Sequence, residues 1–128
     1  MPVTLIGQQP VLPNGATVPL VPATRVGELI FCSGALGVDA NFQLVEGGIA
    51  AQTKAAIANL QAVLAQAGAT LSDVAKTTVW LTDMADFAAF NAAYAEAFGS
   101  HAPARSTLTS ALAIPGALVE IEAIACAP

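Results

Sequence analysis

Only four residues of the 128 carry a fixed positive charge, Arg25, Lys54, Lys76 and Arg105, and Arg105 heads the otherwise uncharged run Pro103-Ala104-Arg105-Ser106-Thr107-Leu108-Thr109-Ser110. A guanidinium is planar and offers paired N–H donors, so it suits bidentate capture of a carboxylate. Further on, Val119-Glu120-Ile121-Glu122-Ala123-Ile124 sets two carboxylates at i and i+2, which on a strand share one face about 6.6 Å apart, with Val119, Ile121 and Ala123 on the other; if that apolar face lies under the helices, both glutamates project from the bare one. Like charges that close push at least one proton affinity upward unless a cation intervenes. A hairpin between the Arg105 strand and the glutamate strand would supply that cation. The group could then hold a small anion while a glutamate orients or deprotonates a water. On spacing alone the plainer alternative is a solvated ion pair worth little, and Glu122 could equally serve only a backbone or subunit contact. Taken by themselves, the residues stop at a small anionic ligand plus water.

Other chemistries find less support. Cys32 and Cys126 sit in apolar strand-like runs, without a CxxC or Cys/His spacing that would bind a metal, and read as small buried hydrophobes. The lone His101 lies in the loop Gly99-Ser100-His101-Ala102-Pro103 with no nucleophile or metal ligand nearby. No metal site is expected. Ser33-Gly34 ends the β-rich run Glu28 to Gly34, where small side chains let backbone or ligand approach.

The elements that must position these residues follow from periodicity. Five of the eight prolines fall within the first 22 residues, which predicts an extended N-terminal arm over residues 1–22. Ile49 to Ala67 reads as a helix, with Ile57, Leu60, Val63, Leu64 and Ala67 on one face, Gln52, Lys54, Asn59, Gln61 and Gln66 mostly elsewhere on the wheel, and Gly68 as its stop. Val74 to Thr82 alternates, with Ala75, Thr77, Val79 and Leu81 on one face. Asp83 and Asp86 suit a helix N-terminus, and Phe87, Phe90, Tyr94 and Phe98 repeat at helical spacing as a core stripe. Strands Arg105 to Ala111 and Ala117 to Ala125 flank a turn at Ile114-Pro115-Gly116. The order predicts a single α+β domain over 1–128, a two-layer sandwich with two helices on one face of a mixed sheet.

Hydrophobic residues form 55% of the chain and charged residues 10%, with a net charge of −5. That apolar excess predicts a symmetric homo-oligomer meeting through the bare sheet face. The acidic balance argues against nucleic acid, which needs clustered Lys and Arg. No apolar run of about 18 residues is present to span a bilayer, and a cytoplasmic protein is expected.

The string PARSTLTSALAIPGALVEIEAIA (103 to 125), together with IFCSGALGVD (30 to 39) and AAQTKAAIANLQAVLAQAGATLSDVAKTTVWLTDMADFAAFNAAYAEAF (50 to 98), closely resembles the RidA/YjgF family of reactive imine/enamine deaminases. The resemblance implies a chorismate-mutase-like subunit in a homotrimer with clefts between subunits. It implies cofactor-independent hydrolysis of small 2-imino acids, formed from enamines such as 2-aminoacrylate, to 2-keto acids and ammonia. Arg105 matches the family's carboxylate-binding arginine and Glu120 its water-activating glutamate, whereas Ser33, Gly34, Asn91 and Thr107 match positions lining the cleft. Thr107 stands where the family often has cysteine. Leu20 stands in Val18-Pro19-Leu20 where a tyrosine is common, which removes a hydroxyl and would slow small imines or favour a larger, more apolar substrate. The loop before Pro103 looks shorter than usual. A non-catalytic trimer binding small carboxylates is the alternative, and an endoribonuclease the least favoured.

Overall fold

A computed structural model describes residues 2–128. Strands β1 (Thr4–Ile6), β2 (Ala23–Val26) and β3 (Leu29–Leu36) precede helix α1 (Gly48–Gln66); strand β4 (Val74–Leu81), helix α2 (Phe87–Phe98), and strands β5 (Ala104–Thr109) and β6 (Val119–Cys126) follow. The strands form one six-stranded sheet in the order β1-β2-β3-β6-β4-β5. Only β4 and β5 run parallel, because α2 carries the chain back between them; every other pairing is antiparallel. Two helices covering one face of a mixed sheet is the expected sandwich. Within the N-terminal arm, β1 pairs at the sheet edge, while Val11 and Thr17 bridge in a loop.

The core lies between the helices and one sheet face. Ile57, Leu60 and Leu64 of α1 meet Ile30 of β3, Val79 and Leu81 of β4, and Val119, Ile121 and Ala123 of β6. Alternation places Leu29 and Phe31, and across the sheet Glu120, Glu122, Trp80 and Leu108, on the opposite face. Leu29, Phe31 and Leu108 are exposed there at 43%, 39% and 42%.

Four expectations are corrected. β5 and β6 do not form a hairpin: β4 lies between them, pairing with both, because the α2 crossover sets β5 parallel beside β4 and the long connection Ser110–Leu118 lets β6 pair on β4's other side. Ala75 does not share the buried face of β4. The register shifts between Val74 and Lys76, so Val74 is buried and Ala75 exposed. Cys126 is exposed at the end of β6, where alternation carries it to the open face, although Cys32 is buried. Burial pushes the Cys32 thiol up to about 11, which leaves it protonated and inert near neutrality.

Gln52 supplies the fourth correction. Read as part of a polar helix face, it is instead buried, with Oε1 accepting from Leu118 N–H at 2.8 Å and Nε2 donating to Gly116 O at 3.2 Å. One amide therefore ties α1 to the entry of β6, and Gly37 leaves room for the helix backbone at that residue. Gln52→Ala orphans both backbone groups, and urea unfolding is expected to show a loss of about 2 kcal/mol.

Candidate active site

Arg105 is paired with Thr77 across the parallel β4–β5 ladder and Thr107 with Val79. Because Thr77 and Val79 are fully buried under the helices, Arg105 and Thr107 point to the helix-covered side. There the guanidinium lies over three rings of α2, with its carbon 5.8 Å from the centroid of Phe87, 5.2 Å from Phe90 and 4.9 Å from Tyr94. A cation over an aromatic face within about 6 Å is attracted by the ring quadrupole, by about 0.5–2 kcal/mol depending on exposure. Among the described residues no carboxylate lies within ion-pair distance of Arg105.

Tyr94 is itself pinned. Its hydroxyl and Thr77 Oγ1 are 2.7 Å apart in a buried hydrogen bond, so the ring nearest the guanidinium is fixed to β4. Burial raises the Tyr94 proton affinity, while the Thr77 hydrogen bond and the Arg105 charge oppose that rise. Beside the cation, Asn91 Oδ1 and Thr107 Oγ1 are buried without a hydrogen-bond partner. Orphaned buried acceptors are uncommon and carry a desolvation cost. Arg105 and Asn91 both line a cavity of about 450 Å³ between α2 and the chain leading into β5.

Glu120 belongs to a second group on the other side of the sheet. It pairs with Trp80 on β4 and Leu36 on β3, so its side chain lies on the open face with that of Glu122. The irregularity between Cys32 and Ala35 removes Ser33 and Gly34 from regular pairing. The Glu120 carboxylate occupies the space above Gly34, where an added Cβ would collide with it. Ser33 donates its hydroxyl to Val21 O at 2.7 Å, and its N–H to Pro22 O at 2.9 Å. That hydroxyl fastens β3 to the arm segment in which Leu20 is exposed. Burial first, and the neighbouring Glu122 second, raise the Glu120 proton affinity above the ordinary carboxylate value.

The predicted residues thus form two clusters. Arg105, Asn91 and Thr107 are gathered on the helix side; Glu120, Gly34 and Ser33, with Leu20 next to Ser33's partner Val21, form the other. The expected meeting of Arg105 with Glu120 on adjacent strands does not occur within one chain, because β4 separates their strands and their side chains leave opposite faces. Sequence reasoning missed the role of Phe87, Phe90, Tyr94 and Thr77. The signal was available: Phe87, Phe90 and Tyr94 sit at i, i+3 and i+7, beside Asn91 on the same helix, but were assigned wholly to the core. His101 lines the cavity, yet its Nε2 lies 2.7 Å from Val74 O, tying the loop to β4. Among the described residues no three His, Cys, Asp or Glu lie together as metal ligands, and no helix is long and apolar enough to cross a membrane.

An unneutralised guanidinium beside unpartnered polar atoms, on an α+β scaffold, has the chemistry that suits a small carboxylate with hydrogen-bonding groups of its own. Comparison with known proteins narrows that class. The family described as Endoribonuclease L-PSP matches residues 12–127. The chain is 39% identical over 119 residues to the 3-aminoacrylate deaminase RutC of Acinetobacter baylyi, covering 90% of this chain and 94% of RutC. It is 40% identical over 112 residues to the Homo sapiens 2-iminobutanoate/2-iminopropanoate deaminase, covering 87% and 82% respectively. The crystal structure of E. coli TdcF with bound serine superposes with a TM-score of 0.83 at 31% identity, over 96% of this chain and 98% of that one. The chain belongs to the RidA/YjgF family, whose members include deaminases of imino and enamino acids.

The raised proton affinity of Glu120 has a measurable sign. The folded protein holds that proton more tightly than the unfolded chain, so stability falls as pH rises from the ordinary carboxylate value through the folded one. In a carbon-13 NMR titration, Glu120 is expected to titrate above a model glutamate, and Glu122→Gln to bring it part of the way back. A midpoint unmoved by that substitution would remove Glu122 as a cause.

Proposed function

We propose that the protein is a hydrolytic deaminase converting 2-imino acids to 2-keto acids and ammonia without a cofactor. The observation that carries this reading is Arg105, held on ring faces with no carboxylate neutralising it. The relatives named as deaminases and the serine-bound structure support it. Arg105 grips the substrate carboxylate through two N–H donors. Asn91 Oδ1 and Thr107 Oγ1 accept N–H or O–H groups from the reacting end. Glu120 as carboxylate takes a proton from water; the oxygen bonds to the C=N carbon, and the C=N electron pair moves to nitrogen. Protonation of the nitrogen, breakage of the C–N bond and loss of the hydroxyl proton release ammonia and leave the keto group. One water is consumed, and no electrons leave the system. Because the imine carbon is already electrophilic, positioning and proton transfer suffice.

Since Arg105 and Glu120 leave opposite faces of one sheet, this mechanism requires two copies of the chain. We read the active site as composite, with the Arg105 cluster of one subunit facing the Glu120 cluster of the next around a closed homotrimer. The exposed Leu29, Phe31 and Leu108 support burial of the open face in such a ring. Binding of small carboxylates without turnover remains the second reading, favoured by Leu20, which offers no hydroxyl. The net charge of −5 disfavours ribonuclease activity, because a phosphate backbone demands clustered cations.

Arg105→Ala and Glu120→Ala are each expected to lower kcat/KM on an imine generated by an amino-acid oxidase by about 100-fold or more. Mixed trimers of the two variants, formed by co-expression or subunit exchange, are expected to regain about a quarter of wild-type activity, the fraction of interfaces pairing an intact arginine with an intact glutamate. Mixed trimers as inactive as their parents would overturn the composite site. Wild-type protein that leaves the imine lifetime unchanged would reject the deaminase itself.

A further inference from the structure

We infer that the site is built for 2-imino acids with extended apolar side chains, such as those derived from leucine or phenylalanine, in preference to the methyl and ethyl members of the series; this rests on the deaminase reading. The cavity beside Arg105 has a volume of about 450 Å³, within the range of small-molecule sites. On the single chain this space extends well past the reach of a methyl group.

Its shape follows from the two elements that bound it. From Asn91, α2 passes through Ala95 to Phe98; from Arg105, the chain read backwards leaves β5 at Ala104 and passes through Pro103 to Ala102 in the preceding loop. Because α2 and β5 run in opposite senses, both walls lead away from the guanidinium in the same direction. Asn91 and Phe98 are seven residues apart, about 10 Å along a helix, which exceeds the reach of an isobutyl or benzyl group. The walls beyond Arg105 and Asn91 are apolar. His101, the ionisable group at the far end, is engaged by the Val74 carbonyl. Ala95 and Ala102 are the small residues that keep the space open. With its carboxylate on Arg105, a 2-imino acid can direct its side chain down this channel while the C=N carbon stays near Asn91. Across the composite site, exposed Leu20 supplies apolar surface as well.

The test is a series of imines formed in situ from alanine, 2-aminobutyrate, leucine and phenylalanine by an amino-acid oxidase. Each buried methylene is expected to raise kcat/KM by about fourfold, giving at least about a tenfold advantage of the leucine-derived over the alanine-derived imine. Ala102→Trp and, independently, Ala95→Leu are expected to draw the long-to-short ratio back toward one. A flat or inverted series, with the alanine-derived imine hydrolysed, overturns this inference and leaves the deaminase standing. If no imine is hydrolysed, the deaminase falls, and calorimetry with the matching 2-keto acids decides the channel separately. Tighter binding of 4-methyl-2-oxopentanoate than of pyruvate, reduced in Ala102→Trp, supports it; equal or weaker binding overturns it.

Discussion

The guanidinium of Arg105 is held by ring faces and not by a carboxylate, and the rest of the site depends on that substitution. A carboxylate would neutralise the charge and occupy the N–H donors; aromatic rings attract the cation while competing only weakly for hydrogen bonds. The charge thus stays available to an incoming acid. Such a cradle requires α2 to lie across the edge strand, which the β4–α2–β5 crossover provides. It also requires the nearest ring to stay in place. The Tyr94–Thr77 hydrogen bond meets that need, drawing on β4 as a buried anchor common to the fold and the site.

On the composite reading, the same crossover is why one chain would not suffice. With β5 paired to β4 in parallel, β6 enters on the far side of β4, between β4 and β3. There its glutamates gain the open face and the irregular Ser33-Gly34 segment. Gly34 is required by contact and not by backbone conformation, because the Glu120 carboxylate fills the position of its absent Cβ. A strand order that kept Arg105 and Glu120 adjacent would have favoured their neutralising each other. Separation by the sheet leaves both charges unspent.

Much of this was legible in sequence where burial alternates strictly. The apolar periodicity of Ile57, Leu60 and Leu64, and that of Val119, Ile121 and Ala123, located α1, β6 and the face they share. That Glu120 and Glu122 share one face followed from their i, i+2 spacing, and the burial of Val119, Ile121 and Ala123 makes it the open one. What sequence could not supply was strand adjacency, since parallel β4–β5 pairing and a hairpin between β5 and β6 are both compatible with the same local patterns. The bulge at Val74–Lys76 was hidden for a related reason: one extra residue inverts alternation, and Ala75 is as acceptable outside as in. Gln52 was misread because its polarity signals solvent, whereas two backbone groups at Gly116 and Leu118 take the place of water. The aromatic stripe was recognised but credited with packing alone, because nothing local to α2 reveals that a cation from β5 will rest on it.

The exposed apolar residues and the unneutralised charges bear on one another. Leu29, Phe31 and Leu108 share the open sheet face with Glu120 and Glu122. Covering that face with any neutral surface would desolvate the carboxylates further and raise the Glu120 proton affinity again. A cover that presents a cation at its rim relieves the penalty. A second copy of this chain carries such a cation, Arg105, already partly stripped of water by its ring cradle and without a carboxylate of its own. On the composite reading, association gains from apolar burial over the middle of the face and from charge complementarity at its edge. The substrate acid then enters between the two charges, sharing the cation that the neighbouring glutamate would otherwise attract.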